Sequence, residues 1–518
     1  MRRKPGPARM DAPSPQGPPR PTSPAEPLAL LVIAVLLLAG ITWGMHPQWS
    51  WDVDNTAPGS VLKALAQKFG PHWSSSYGPV PYLVMAAPML PLLVAFKSSG
   101  ELGQPSAAYP WGFAHPEWSV QALTLAARGT TLLAALLIVW MAMREARRAG
   151  SPRAWLAALL LAGSATFVYY ARTTNVDVHY LFWLWAAFHL AEHGRRLRTL
   201  AAAGACAAFA VCTKEQAAPF ALVATLVAMR RAPRLAPNAG ARAALLPPLA
   251  AVCAYALVWR LPWGLPGWRE HLRFVFEDAR YERTFAATPA GFAQLGLRTL
   301  ELLPLALGWA AVMALVTALT RRLPWRGLEA RAIACALYLL AFVAPVGYVY
   351  PRFLLPLLLF VVPLGTRAFA VLCEGNRRGL IAAYALIACT GGFALTCTQA
   401  FDTRLAVERW LAPRLAAGAQ VEIAGNPHFQ ARVPADRLRI ARPDSLAAAP
   451  RAPLGDIVLA SSTDEAFLTH VPAVAAAFTA PLQDSSRWTK RVFEPPFTAR
   501  YVLGLPVAPR ITSYERRR

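Results

Sequence analysis

Charge is scarce in this sequence, and acid scarcer still: Asp, Glu, Lys and Arg make up 15% of 518 residues, with 28 acidic side chains against 52 basic ones. A soluble protein ordinarily carries about 25% charge, so lipid replaces water as the solvent for most of the chain. Cysteine is sparse too. The seven, at 206, 212, 253, 335, 373, 389 and 397, lie in or beside apolar runs without CxxC pairing, so neither a disulfide framework nor a zinc knuckle is readable. No glycine-rich loop suited to cradling a nucleotide phosphate is present, and no repeat recurs at a fixed period. The formal net charge of +24 would suit nucleic acid, but the arginines fall in short clusters between apolar runs and never build one basic face. A nucleic-acid partner is not expected.

What is abundant is apolar surface, at 56% of residues. Residues 1–26 hold five Lys/Arg among many prolines and read as a disordered tail. The run 28–45 is longer than a signal-peptide core and no A-x-A-like site follows it, so it reads as an uncleaved first span. Further apolar stretches recur at 120–143, 154–170, 176–192, 199–213, 217–229, 244–261, 299–319, 331–349, 353–371 and 380–398. Basic clusters mark alternate connections: Arg144/Arg147/Arg148/Arg153, Arg195/Arg196/Arg198, Arg230/Arg231/Arg234, Arg321/Arg322/Arg326 and Arg377/Arg378. Together with the basic tail they assign that side to the cytoplasm. The turns at 171–176, 214–216, 262–298 and 350–352 then face outward, as does everything after 399.

The run Pro79–Phe96 is apolar enough to span, but counting it would invert every later loop. Its prolines at 79, 81, 88 and 91 are also expected to interrupt a helix. It is therefore placed as a re-entrant or interfacial element inside one long external loop, 46–119. The expected architecture is an all-α polytopic membrane domain over 27–399, with about eleven spans and the N-terminus inside. A small extramembrane α/β domain over 400–518 follows. There Asp402–Leu415 reads as an amphipathic helix, with strand-like runs at Val421–Ala424, Asp456–Ala460 and Arg500–Leu505 and a turn at Gly425-Asn426-Pro427.

Polar residues close to a membrane are costly and mark function by default. The first loop opens Trp51-Asp52-Val53-Asp54-Asn55, and two carboxylates at i, i+2 can hold a metal or serve as a base. Alternatively Asp54 or Asn55 caps a helix over 57–69. A second outer turn carries Arg172 and Asn175-Val176-Asp177-Val178-His179, where Asp177 is either functional or a charge complementing a helix N-terminus. A third carries Lys214 and Glu215, which either pair with each other or leave Lys214 to receive a phosphate. A fourth places Arg352 at the same level. The loop 262–298 interleaves Arg269, Arg273, Arg280 and Arg283 with Trp263, Trp268, Phe274, Phe276 and Tyr281, a pattern that suits a lipid headgroup but also occurs on any amphipathic surface helix, the reading favoured here. Acids and bases from separate loops thus converge on one membrane face, an arrangement an anionic lipid-linked substrate would need.

At these residues the sequence resembles the GT-C fold glycosyltransferases, specifically the protein O-mannosyltransferase and aminoarabinose-transferase-like group. The resemblance rests on the acidic loop after span one, on Tyr77-Gly78-Pro79-Val80-Pro81-Tyr82, and on Tyr169-Tyr170-Ala171-Arg172 followed by Asn175-Val176-Asp177. It extends to Thr213-Lys214-Glu215 and Arg352-Phe353-Leu354-Leu355-Pro356, and covers about residues 28 to 400. The family commonly has Asp-Glu where this chain has Asp54-Asn55, and often a basic residue before the proline pair that this chain lacks. The resemblance implies transfer of a sugar, with inversion, from a polyprenyl-phosphate donor to a lipid, glycan or protein acceptor on the outer face of the inner membrane. Asp54 is then the expected base, with Asp52 second and Asp177 orienting a partner. Lys214 and Arg352 are the leading phosphate ligands, with Arg172, Arg128, Glu215 and Tyr77 as further donor contacts. A divalent metal ion is a candidate cofactor, with Asp52, Asp54, Asp177 and His179 its candidate ligands. The competing readings are a transporter or flippase of a lipid-linked sugar and a non-catalytic membrane scaffold. A transporter places ionisable groups near the bilayer midplane, whereas here only Arg128 lies inside a span.

Overall fold

The computed structural model describes residues 25–517 apart from 47–48, 53, 71–76, 150, 152, 262, 279–282, 324, 373–377 and 496–506. The tail to residue 24, the strand expected at Arg500–Leu505, and Arg280, Tyr281 and Arg377 therefore lie outside the described residues. The rest is a helical bundle followed by a small sheet domain. The first helices are α1 (Ala25–Leu38), α2 (Gly59–Ala66), α3 (Pro79–Ser98), α4 (Pro116–Arg148), α5 (Leu156–Gly163), α6 (Ala165–Ala171), α7 (Asp177–His193), α8 (Leu197–Val211) and α9 (Ala218–Leu235). Then come α10 (Ala241–Ala244), α11 (Leu246–Val258), α12 (Leu265–Arg273), α13 (Pro289–Leu307), α14 (Trp309–Thr320), α15 (Glu329–Tyr338), α16 (Ala344–Val346), α17 (Leu358–Leu372) and α18 (Arg378–Ala400). Among the described residues, six helices are long and apolar enough to cross a membrane, or seven if one bent pair counts as a single span. The chain is a multi-pass membrane protein.

The bundle has two chemically distinct ends. Glu26 at the start of α1 pairs with Arg147 at the end of α4, whereas Arg128, in the first half of α4, donates to the carbonyls of Ile41 and Trp43 beyond the end of α1. These helices are therefore antiparallel. Arg128 also closes off carbonyls that α1, only 14 residues long, leaves open in the turns after it. His193, Arg231 and Arg331 gather at the Glu145 end, and α7 carries the chain from there to Asp177, ~24 Å away at 1.5 Å per residue. The basic clusters at 144–148, 195 and 231 thus occupy one end, and Asp52, Asp177 and Lys214 the other.

Three expectations need correction. The prolines of the third segment do not interrupt it: α3 runs unbroken for 20 residues with Pro79 and Pro81 in its first turn and Pro88 and Pro91 inside. Proline is tolerated in a first turn because the N–H it lacks has no helical partner there. Gly78, just before α3, lies against the carbonyl of Cys212, and Phe96 near its far end meets Trp118 at the start of α4. The pair is a hairpin that leaves the Asp52 end and returns to it at Arg128, and α3 is itself long and apolar enough to cross a membrane. The segment 299–319, read as one span, is instead the junction of α13 and α14, bent by 120°. The bend falls at Gly308, whose φ is +86° and which only glycine adopts without strain. The segment 154–170 is broken too: Ser164 caps α6 by accepting from the Phe167 N–H at 2.9 Å.

After α18, Asp402 caps α19 (Thr403–Ala416), where the amphipathic helix was expected. Strands β1 (Val421–Ala424), β2 (Leu438–Ala441), β3 (Ile457–Ser461), β4 (Trp488–Phe493) and β5 (Ile511–Arg516) form one sheet in the order β2-β1-β3-β5-β4. The first three are parallel, and β5 runs antiparallel to β3 and β4. β1 and β3 are buried throughout, as expected of parallel strands covered on both faces, and the buried Glu422 of β1 is paired with Arg451 at 2.7 Å.

Where α5, α14 and α18 meet, glycines let backbones touch. A Cβ on Gly391 would stand 2.0 Å from the Gly163 carbonyl oxygen, whereas one on Gly379, on the same helix, would meet nothing within 4 Å. Close approach through small residues is a main source of packing energy between helices in lipid. Gly391→Ala should therefore cost about 1–3 kcal/mol, and Gly379→Ala should leave stability unchanged. Thermal unfolding of the purified protein in detergent checks this, and equal melting temperatures would refute the contact.

Candidate active site

Residues 54–57 of the first loop form no helix or strand and take their shape from the turn between α6 and α7. The Thr174 hydroxyl accepts the N–H groups of Thr56 and Ala57, each at 3.2 Å, and the Thr174 carbonyl also accepts from Thr56 at 3.2 Å. Asn175 donates to the Asp54 carbonyl at 3.4 Å and accepts the Asp177 N–H at 2.7 Å. Two acidic segments more than a hundred residues apart are so held edge to edge. Neither Asp54 nor Asn55 caps a helix, because α2 starts after Pro58.

Each cation is found on a carboxylate. Lys214, in extended conformation just past the end of α8, donates to Asp177 at 2.6 Å. Arg352, on the 3-10 turn Pro351–Leu357, pairs with Asp54. Phe353 lies between the two cations, 5.7 Å from the Lys214 ammonium and 5.8 Å from the Arg352 guanidinium, measured to the ring centroid. Tyr77 and Tyr180 complete an aromatic enclosure around Lys214, at 5.8 and 5.6 Å. Such rings favour a cation through their negative faces and restrict where it can move.

Asp52 sits behind Asp54. It is 1% exposed, accepts from the Asp54 N–H at 3.3 Å and from Tyr169 at 3.4 Å, and senses the charges of Arg128 and Arg352. Burial pushes its carboxyl up to about 6, against the pull of those arginines. Among the described residues, Asp52 Oδ2 and Asp177 Oδ2 are buried without a hydrogen-bond partner. Two orphaned carboxylate oxygens in one site leave acceptor capacity for a ligand's hydroxyl groups.

The structure thus brings together Asp52, Asp54, Asp177, Lys214, Arg352 and Tyr77, with Arg128 at the border. Three expected members turn away. Arg172 donates to Thr396 at 2.6 Å, and to Gln399 and the Leu36 carbonyl, so it fastens α1 to α18. His179, two residues and so about half a helical turn past Asp177, meets Thr131 of α4 at 3.0 Å. Glu215 pairs with His271 of α12 at 2.6 Å, and not with Lys214. The expected metal set of Asp52, Asp54, Asp177 and His179 therefore does not assemble. Among the described residues the one group with metal-ligand spacing is Glu145, His189 and His193, at the opposite end.

Reasoning from the sequence missed Tyr169, Phe353 and the C-terminal contacts. Arg404, fully buried, stacks 4.2 Å from the Trp51 ring and bonds Asp402 at 2.7 and 3.0 Å. Asp402 also accepts from the Trp43 indole at 2.9 Å, and His428, after β1, meets the Ser50 carbonyl. Only the aromatic density of 43–51 hinted at a docking surface there.

A multi-pass membrane protein with an ion-paired, aromatic-lined site at one end of its bundle is the class these features define. The family model for dolichyl-phosphate-mannose-protein mannosyltransferase matches residues 120–259, the stretch that carries Asp177 and Lys214. Crystal structures of ArnT from Cupriavidus metallidurans, in the apo state and bound to undecaprenyl phosphate, are similar over 95% of this chain and 98% of theirs. Identities are 14% and 13%, with TM-scores of 0.48 and 0.45. No curated protein sequence matches.

Asp52 gives a direct test of the site's electrostatics. Its carboxyl titrates near 6 when folded and near ~3.9 when unfolded, so the native state binds the extra proton between those values. Its ionisation therefore erodes stability as pH rises through that window. Asp52→Asn removes the penalty and should raise stability at pH 7 by up to ~3 kcal/mol, with the gain vanishing below about pH 4. Melting curves of both proteins across pH check this; a gain independent of pH would contradict the buried carboxyl.

Proposed function

We propose that this chain is an integral membrane glycosyltransferase. It moves a sugar from a polyprenyl-phosphate donor to a hydroxyl-bearing lipid, glycan or protein acceptor. The observation that carries this reading is the pairing of Lys214 with Asp177 and Arg352 with Asp54 on either side of Phe353. A phosphate competes with carboxylates for the same cations, so donor binding at Lys214 and Arg352 releases Asp54. The freed carboxylate then accepts the proton of the acceptor hydroxyl as that oxygen attacks the anomeric carbon. The bond between that carbon and the phosphate oxygen breaks with inversion, and the two cations neutralise the departing polyprenyl phosphate. An ordinary carboxylate is a weak base towards an alcohol, at about 3.9. Proton transfer is accordingly late, and most of the acceleration comes from placement and charge stabilisation. Asp52 acts on Asp54 through its backbone N–H and is a positioning residue.

Support also comes from the matched family model and from the positions of the charges. Arg128, the one ionisable group that suited a transporter, is occupied by the carbonyls beyond α1 and lies at the level of the site. The positive-inside rule assigns the arginine-rich end to the cytoplasm, and this supports a site on the outer face of the inner membrane with the sheet domain beside it.

Incubating the purified protein with labelled polyprenyl-phospho-sugar and acceptor-containing membranes tests the reading. Free polyprenyl phosphate and a glycosylated product are expected. Asp54→Asn should lower turnover roughly 10²–10⁴-fold at unchanged expression, while Lys214→Ala chiefly weakens donor binding. Full activity in Asp54→Asn and Asp54→Ala together would remove Asp54 from the mechanism, and movement of unchanged donor would favour the transporter.

A further inference from the structure

The end of the bundle away from the site holds a densely charged cavity of about 650 Å³. Six arginines line it: Arg144 and Arg148 from α4, Arg195 after α7, Arg231 from α9, Arg331 from α15 and Arg367 from α17. Its two acids are already used. Arg331 bonds Glu192 at 2.7 and 3.0 Å and Glu145 at 2.8 Å, and His189 adds a contact to Glu145 at 3.0 Å. Arg231 and Arg367 bond backbone carbonyls of Gly194 and Arg326, at 3.0 and 2.9 Å. Arg148 meets the other His189 nitrogen at 3.1 Å, which makes that nitrogen an acceptor. Among the described residues, Arg144 and Arg195 have no acidic partner.

Basic residues in short connections are the ordinary signature of a cytoplasmic face, but they normally point apart into water. Here they come from five parts of the chain and converge on one concave volume, around a floor fixed by a buried ion-pair network. Like charges held together without counter-charge repel, and an anion placed among them relieves the repulsion. Guanidinium groups also match the oxygens of phosphate in pairs of parallel hydrogen bonds.

We propose that this cavity is a second anion site, which binds a phosphate group from an anionic lipid headgroup or from free phosphate. It is separate from the sugar-transfer site and independent of that reading. The network beneath it joins α4, α7 and α15. α4 leads back to Arg128 and α7 to Asp177, so occupancy stiffens helices that carry the other end.

The full chain in phosphatidylcholine nanodiscs is titrated with inorganic phosphate, and in a second arm part of the phosphatidylcholine is replaced by phosphatidylglycerol. Melting temperature is read in both arms. Arg144 and Arg195 are exposed, so the pair Arg144→Gln/Arg195→Gln keeps the fold. The pair Arg321→Gln/Arg322→Gln removes the same charge at the same end but outside the cavity. The expected result is a rise in melting temperature for the wild type and the control pair that is lost in the cavity pair. A rise with phosphate assigns a free anion, and a rise only with phosphatidylglycerol assigns the headgroup. No rise in either arm, or equal loss in both variant pairs, overturns the proposal.

Discussion

The grip of one turn on one loop underlies everything else at the site. Residues 54–57 form neither helix nor strand, so their backbone N–H groups need partners from elsewhere if they are to be buried. Thr174 and Asn175 supply them. Because Asn175 also accepts the Asp177 N–H, the same short turn fixes Asp54 and Asp177 relative to each other. The cations follow from that. Lys214 at the end of α8 and Arg352 before α17 each meet a carboxylate whose place is already set, with Phe353 dividing them.

The two ends of the bundle solve the problem of charge near lipid differently. At the site end each functional cation has its own carboxylate, and the rings around Lys214 confine it further. At the other end the acids are consumed by Arg331, and the remaining arginines face an open volume. A polar group held near the bilayer is costly, and the two arrangements meet that cost by internal pairing and by access to the aqueous side.

Much of this was legible in the sequence, and the exceptions share a cause. Apolar runs located the helices, and the basic clusters separated the two ends, because both depend on solvent preference along the chain. β1 and the helix after Asp402 fell where their local patterns put them. The residues that turned away from the site were misjudged because a partner in space decides their role. Arg172 reads like any polar residue at a span end until Thr396 and Gln399, more than two hundred residues later, appear beside it. His179 sits two residues from Asp177, yet a helix sends neighbours at that spacing in different directions. The bend at Gly308 escaped notice because hydropathy is blind to φ. The four prolines of α3 looked disruptive, although two fall where a helix accepts them and the other two are accommodated in an unbroken helix.

The docking of the last domain on the first loop has a consequence for biosynthesis. A nascent chain that has reached residue 401 already contains Asp52, Asp54, Asp177, Lys214 and Arg352. What it does not yet contain is Asp402, which holds Trp43, Arg404, which stacks on Trp51, or His428, which meets the Ser50 carbonyl. The acidic loop is thus among the first segments to emerge and among the last to be locked in place. Assembly of the site is postponed to the end of translation, and a chain truncated by stalled synthesis would carry these charged groups without the brace that arranges them.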